Sequence, residues 1–217
     1  RSAVILATKC GRVPQAGTDE IGSCLRAASV RAEIEASLRR LGTDCIDLYQ
    51  VHWPRPDEEI EEGWEEISRA VKAGKIRHAG VSNFSREQIE RVRKIHPVAS
   101  LQPPYSMLRR DVEAELLPWC AAHGIGVVAY SPMQTGLLAG KFTRERIAAL
   151  PADDWRRASP YFTEPALTTN LALVEALRAI AARGGRSVGE LAVAWVLRRP
   201  EVTSAIVGSR RPDQVEE

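Results

Sequence analysis

Six short apolar runs of this chain each end on side chains able to hydrogen-bond, ionise or stack. They are Thr8-Lys9, His52-Trp53, Ser82-Asn83, Gln102, Tyr130-Ser131 and Gly208-Ser209-Arg210. An ammonium at the end of an apolar strand, such as Lys9, is costly to bury without an anionic or strongly polar partner. Each ending also has a purely structural reading. Ser82-Asn83 fits a helix-cap turn, Gln102 a satisfied backbone group, and Tyr130 a core aromatic with its hydroxyl in a loop; His52 fits a structural histidine. Six such endings on one rim favour a site over six coincidences.

The elements that must hold these residues alternate along the chain. "AVILAT" (3–8), "CIDLYQV" (45–51), "IRHAGVS" (76–82), "ASLQPPY" (99–105), "GVVAYS" (126–131) and "TSAIVG" (203–208) read as strands. Between them lie amphipathic stretches with helical spacing. In 29–42, Val30, Ile34, Leu38 and Leu41 form a stripe, Ser29 can cap the start and Gly42 stops it. In 58–73 the stripe is Ile60, Trp64, Ile67 and Val71, ending at Gly74. Further helices are expected over 85–95, 111–123, 170–183 and 187–198, with a long polar insertion over 132–169. Strand and helix in alternation are the pattern of βα units on a parallel sheet, where chemistry sits at the C-terminal ends of the strands. No G-x-G-x-x-G follows the first strand, which argues against a doubly wound dinucleotide fold. The fold class expected is α/β, a (β/α)8 TIM barrel, with about six of its eight units present at ~30 residues each.

Composition narrows the function classes. The 217 residues carry 30 basic and 28 acidic side chains, a balance that gives no reason to expect nucleic acid or an anionic membrane as partner. The arginine pairs at 39–40, 109–110, 156–157 and 198–199 read as solvated helix ends or loops, and only the pair at 210–211 calls for more. Four cysteines form no C-x-x-C and the four histidines show no metal-ligand spacing, so no zinc site is expected. Cys45 and Cys120 sit in apolar contexts and read as buried free thiols. No apolar stretch nears the ~20 residues of a membrane span, and a cytoplasmic location is expected.

"VILATK", "SLRRLGTDCIDLYQVHWP", "GKIRHAGVSNFS", "LQPPYSML", "GIGVVAYSPMQTGLLAGKFT" and "LAVAWVLRRPEVTSAIVGSRRPDQVEE" together resemble successive signatures of the aldo-keto reductases, over essentially the whole chain. The resemblance implies a barrel that binds NADP(H) across its C-terminal rim and reduces aldehydes or ketones to alcohols by hydride transfer, without a metal. By motif position, Lys9 resembles the family's catalytic lysine and His52 its histidine, with Trp53 as pocket wall. Ser82, Asn83 and Gln102 resemble the groups that hold the nicotinamide carboxamide, and Tyr130 the aromatic stacked on the ring. Ser131, Met133, Gly136, Leu137 and Lys141 resemble the loop over the pyrophosphate. Gly208, Ser209 and Arg210 fall where the adenosine 2′-phosphate is gripped, with Gln214 and Glu217 near the adenine. A guanidinium at Arg210 suits a dianionic phosphate and argues for NADP over NAD; Arg211 is ambiguous.

The family's remaining catalytic pair, an aspartate and a tyrosine, belongs before the lysine strand and has no match here. Tyr49 lies inside the His52 strand, and Asp44 and Asp47 match structural positions. The chain is therefore expected to be a fragment of a single barrel domain over 1–217, lacking its first two βα units and clipped at its C-terminal helix, with little or no turnover alone. Two other readings stand beside the reductase. One is a non-catalytic NADP-binding regulatory subunit, as among the potassium-channel β-subunits of the same family. The other is an unrelated phosphate-binding barrel in which Lys9 forms a Schiff base. Trp155, Tyr161 and Phe162 either line a pocket or pin the long insertion. The carbonyl substrate and the oligomeric state are not legible.

Overall fold

The computed structural model describes residues 3–15, 17–18, 20–209, 211–212 and 214. One sheet takes six strands in sequence order: β1 (Ala7–Cys10), β4 (Ile46–Val51), β5 (Ile76–Ser82), β6 (Ser100–Gln102), β7 (Gly126–Tyr130) and β8 (Val202–Ile206). The pairings from β1 through β7 are parallel. Two-residue strands β2 (Val13–Pro14) and β3 (Ile21–Gly22) form a separate antiparallel ribbon. The helices are α1 (Ala27–Leu41), α2 (Ile60–Lys72), α3 (Arg86–Arg93), α4 (Leu116–Ala122), α5 (Arg144–Ala148), α6 (Ala166–Arg183) and α7 (Val188–Leu197). The architecture is a partial (β/α)8 barrel. The chain divides into two compact units, one of residues 1–103 and 112–128, the other of 104–111 and 129–217.

In the first unit the sheet has two different faces, because side chains alternate along a strand. Tyr49, Val51, Ala79, Val81, Leu101 and Val127 share one face and are at most 2% exposed. Helices pack on that side; α1 contributes Val30, Ile34 and Leu38, and α2 contributes Ile60, Trp64 and Ile67. The other face carries Lys9, Gln50, His52, Ser82, Ser100 and Gln102. Register aligns Lys9 with Gln50, Gln50 with Gly80, and Gly80 with Ser100, so these four stand in one row across four strands.

Several elements differ from their sequence expectation. The first strand spans 7–10 rather than 3–8, and Val4 and Ile5 are 56% and 83% exposed. Its ladder begins at Leu6, whose carbonyl takes the Leu48 N–H, while the Leu6 N–H goes to the Asp47 carboxylate at 2.8 Å. That side chain replaces a backbone acceptor and ends the strand there. Ser29 is not the cap of α1. It lies within the first turn and bonds Glu33, while the carboxylates of Glu59 and Glu62 take the Leu25 and Ala27 N–H groups at 2.8 and 2.7 Å. Gly42 does terminate α1 in a left-handed conformation (φ 60°) that a glycine adopts without strain. The fourth strand stops at Gln102 because Pro103 and Pro104 have no N–H to continue a ladder. The 111–123 helix is broken: a 3-10 turn at Asp111–Glu113 precedes α4, whose Pro118 is tolerated only in a first turn.

In the second unit the insertion over 132–169 folds on its own core. Leu137, Ile147, Phe162 and Leu167 are buried together, and Phe142 meets Phe162 edge-on at 5.1 Å. Phe162 therefore pins the segment and Tyr161 packs beside it, whereas Trp155 is 63% exposed. A second cluster joins Leu138, Val174, Leu177, Val188 and Ala192. Capping boxes at Ser85/Gln88 and Ser187/Glu190 start α3 and α7.

Candidate active site

Lys9 and His52 stand at the C-terminal ends of neighbouring strands, on the same face. The strands are locked at that level by the His52 N–H, which donates to the Cys10 carbonyl at 3.0 Å. Both side chains are half-buried. Burial lowers the Lys9 ammonium from its ordinary value, because desolvation penalises the charged form. His52 is lowered too, first by burial and then by the charges of Lys9 and Arg12. A neutral imidazole is thus the favoured form at neutral pH, with a ring N–H to donate and a ring nitrogen to accept. The Trp53 ring stacks on His52 at 6.3 Å, and the Arg55 guanidinium lies 5.5 Å from the Trp53 ring centre.

Ser82, Asn83 and Gln102 come together beside His52. The Asn83 side-chain amide donates to the His52 carbonyl at 3.0 Å and to Ser82 Oγ at 3.1 Å. Ser82 Oγ donates in turn to the Gln102 carbonyl at 2.8 Å. Asn83 adopts a left-handed backbone (φ 62°), a conformation that asparagine tolerates better than most residues. Tyr49 is on the opposite face. Its hydroxyl is buried near Ser37 and Cys10 with no well-formed hydrogen bond among the described residues, and burial raises it far above an ordinary phenol. Cys10, not Cys45, is the buried thiol on this side. Cys120 is buried as expected and its thiol is pushed up to about 11 by burial, whereas Cys45 is partly exposed.

The second unit holds a pocket of about 530 Å³. Ser131, Met133, Gly136, Lys141, Gly208 and Gln214 all line it. Tyr130, at the end of β7, is half-buried, and burial raises its hydroxyl against the opposing charge of Arg109. Leu137 is fully buried in the insertion's core, so its side chain faces away from any ligand and only its backbone remains for one. Ser209 is exposed. Arg210 and Glu217 lie outside the described residues. The loop turns through left-handed backbone at Ser131, Gln134, Thr135, Gly136 and Gly140. Gln134 is anchored from below, where its Oε1 accepts from Ser106 Oγ at 2.7 Å.

Sequence reasoning missed two groups. Arg146, Arg156 and Phe142 line the same pocket, with the guanidiniums 5.2 and 5.3 Å from the Phe142 ring centre. Arg156 had read as a solvated residue, and Arg211 also lines the pocket. Arg156 is paired with the Asp154 carboxylate, so Lys141, Arg146 and Arg211 give the pocket its cationic lining, suited to a phosphate-bearing ligand. The other group is Gln50 and Ser100, on the face of His52. Their signal was a polar residue two positions before each rim residue, in strands otherwise apolar. Among the described residues no cluster of histidine, cysteine, aspartate or glutamate could hold a metal, and no helix is long and apolar enough to cross a membrane.

A parallel βα sheet with polar side chains gathered at its strand ends defines a barrel of the enzyme-like class, and the second unit holds a pocket of its own. The chain belongs to the aldo/keto reductase family, whose model matches residues 1–217. It is 41% identical over its full length to aldo-keto reductase YhdN of Bacillus subtilis. Among solved structures it is similar to the glycerol dehydrogenase AKR11B4 of Gluconobacter oxydans, at 38% identity over 97% of the chain with a TM-score of 0.89. It is also similar to the aldo-keto reductase AKR11C1 of Bacillus halodurans, at 30% identity over 100% of the chain with a TM-score of 0.78. The chain spans 64% of the length of YhdN and of AKR11B4, and 66% of AKR11C1.

Proposed function

We propose that this chain carries the NADP(H)-holding residues and half of the catalytic set of a carbonyl reductase. The observation that supports it best is the Lys9–His52 pair on adjacent strand ends, close enough for the lysine's charge to help keep the imidazole neutral. In this reading the neutral His52 hydrogen-bonds a substrate carbonyl oxygen and orients it, with Trp53 as one wall. The desolvated Lys9 ammonium favours negative charge close by, either on that oxygen or on a phenol that protonates it. Ser82, Asn83 and Gln102 hold a carboxamide, and Tyr130 offers a ring for stacking. Ser131, Met133, Gly136, Lys141, Gly208 and Gln214, with the arginines of the pocket, take phosphate and adenosine. Ser209 and Arg210 belong to the same assignment, as does Glu217. The cationic lining fits a dinucleotide phosphate, and NADPH bound there would supply the hydride.

The non-catalytic, cofactor-binding reading shares these contacts and differs in turnover. One observation bears on it: the tyrosine of the His52 strand, Tyr49, faces the helices and cannot serve as the proton donor. Both readings predict NADPH binding, followed as quenching of tryptophan fluorescence. Oxidation of NADPH with a simple aldehyde separates them, measured on the 217 residues and on the product of the whole reading frame. The reductase reading expects turnover from the latter, reduced about 10²- to 10⁴-fold by His52→Ala. Binding without turnover in both would leave the non-catalytic subunit. Absence of NADPH binding would sink both.

A further inference from the structure

Gln50 and Ser100 are assigned nothing by the reading above, yet they form a buried polar ladder under the rim. Gln50 is 0% exposed and Ser100 and Gln102 are each 5% exposed. The Gln102 Nε2 donates to Gln50 Oε1 at 3.0 Å, and the Gln50 Nε2 donates to Ser100 Oγ at 3.1 Å. These bonds join β4 to β6, two strands apart, and therefore pass over β5 between them. The residue of β5 at that level is Gly80, paired with both Gln50 and Ser100 in the register. A Cβ there would sit 2.4 Å from Ser100 Oγ and 3.1 Å from Gln50 Cγ. Only glycine lets the two side chains meet.

We propose that Gln50 is a positioning residue that fixes which end of the Gln102 amide is offered to a bound cofactor. A free glutamine amide can rotate to present either its carbonyl or its NH2. Here Gln50 accepts from the Gln102 Nε2, and Ser100 holds Gln50 in the orientation that makes it an acceptor. The Gln102 NH2 is thereby turned inward, and its Oε1 receives no hydrogen bond from any described residue. An acceptor held in this way selects a ligand donor, the NH2 of a carboxamide, and rejects a carboxylate at the same place. The ladder thus acts at a distance on the ligand's ring orientation. A buried polar group left half-satisfied would otherwise be costly, which gives the three side chains one mutually consistent arrangement.

The inference rests on the NADP(H) reading, and its test separates the two. Dissociation constants are measured for NADPH and for 2′-phospho-ADP-ribose, which lacks the nicotinamide, with the unaltered protein, Gln50→Met and the milder Ser100→Ala. Gln50→Met is expected to weaken NADPH roughly five- to tenfold, the loss of one well-placed hydrogen bond, while leaving 2′-phospho-ADP-ribose unchanged. Ser100→Ala should weaken NADPH in the same selective way but less. Equal weakening of both ligands would mean a general disturbance of the fold and overturn the proposal, as would unchanged NADPH binding in both variants. Failure of the unaltered protein to bind NADPH would remove the cofactor reading and this inference with it.

Discussion

Gly80→Ala offers the sharpest physical test of the structure. Its added methyl would lie 2.4 Å from Ser100 Oγ and 3.1 Å from both the Ser100 carbonyl and Gln50 Cγ. The first contact is far inside van der Waals range, and β5 cannot retreat because β4 and β6 hold it on both sides. Overpacking of a core typically costs ~1–3 kcal/mol, and losing the Gln50–Ser100 bond adds ~0.5–1.5 kcal/mol. A smaller gain of ~0.4–1 kcal/mol comes from the stiffer unfolded chain. The net expectation is a loss of about 2–3 kcal/mol, or a melting temperature lower by about 4–12 °C for a chain of this size. Ser100→Ala removes the nearest clashing atom, so the double variant should regain about 1–2 kcal/mol relative to the sum of the single changes. Urea unfolding of the four proteins reads this coupling directly. Stability of Gly80→Ala within about 0.5 kcal/mol of the parent, or strict additivity in the cycle, would refute the close approach.

Other expectations follow from single features. In the proposed reductase reading, measured on the product of the whole reading frame, the acid limb of the pH profile should fall below the ordinary imidazole value because burial lowers His52, and His52→Gln should remove that limb. Glu66, buried in α2, is held below its ordinary carboxyl value first by Arg31 and then by Arg69, against the opposing effect of burial. Its stabilisation is present above about pH 4.5, the unfolded value, and is lost as pH falls through the lowered folded value; Glu66→Gln should flatten that part of an unfolding-versus-pH curve. Phe162→Ala should cost ~3–5 kcal/mol, the usual range for emptying a buried aromatic site. It should also open the 142–165 segment to limited proteolysis, and resistance equal to the parent's would show that the segment has another anchor.

Much of the architecture was legible because the sheet's helix-covered face must be apolar at every second residue and each helix must bury a stripe. Five strands were placed within a few residues, β5 to the residue, and Gly42 ended α1 as a left-handed glycine should. Lys9, His52, Ser82, Asn83 and Gln102 were legible as the polar endings of apolar runs, and the structure places them at strand ends. Their proposed roles come from the family resemblance and not from their order. What failed were the features decided by partners distant in sequence. Asp47 takes the Leu6 N–H and stops β1 short, and Glu62 takes the Ala27 N–H at the start of a helix that Ser29 was expected to cap, while Glu59 holds the Leu25 N–H just before it.

The sequence by itself determined which residues are apolar at helical or strand spacing, and which polar residues close each strand. Only the tertiary structure decided that Arg146, Arg156 and Arg211 share one pocket with Lys141, and that Gln50 and Ser100 meet over Gly80. The physical reason is the same in both cases. Arg211 reaches the pocket from far along the chain, and Gln50 and Ser100 are 50 positions apart, so only the register and packing of the folded backbone bring these side chains within reach.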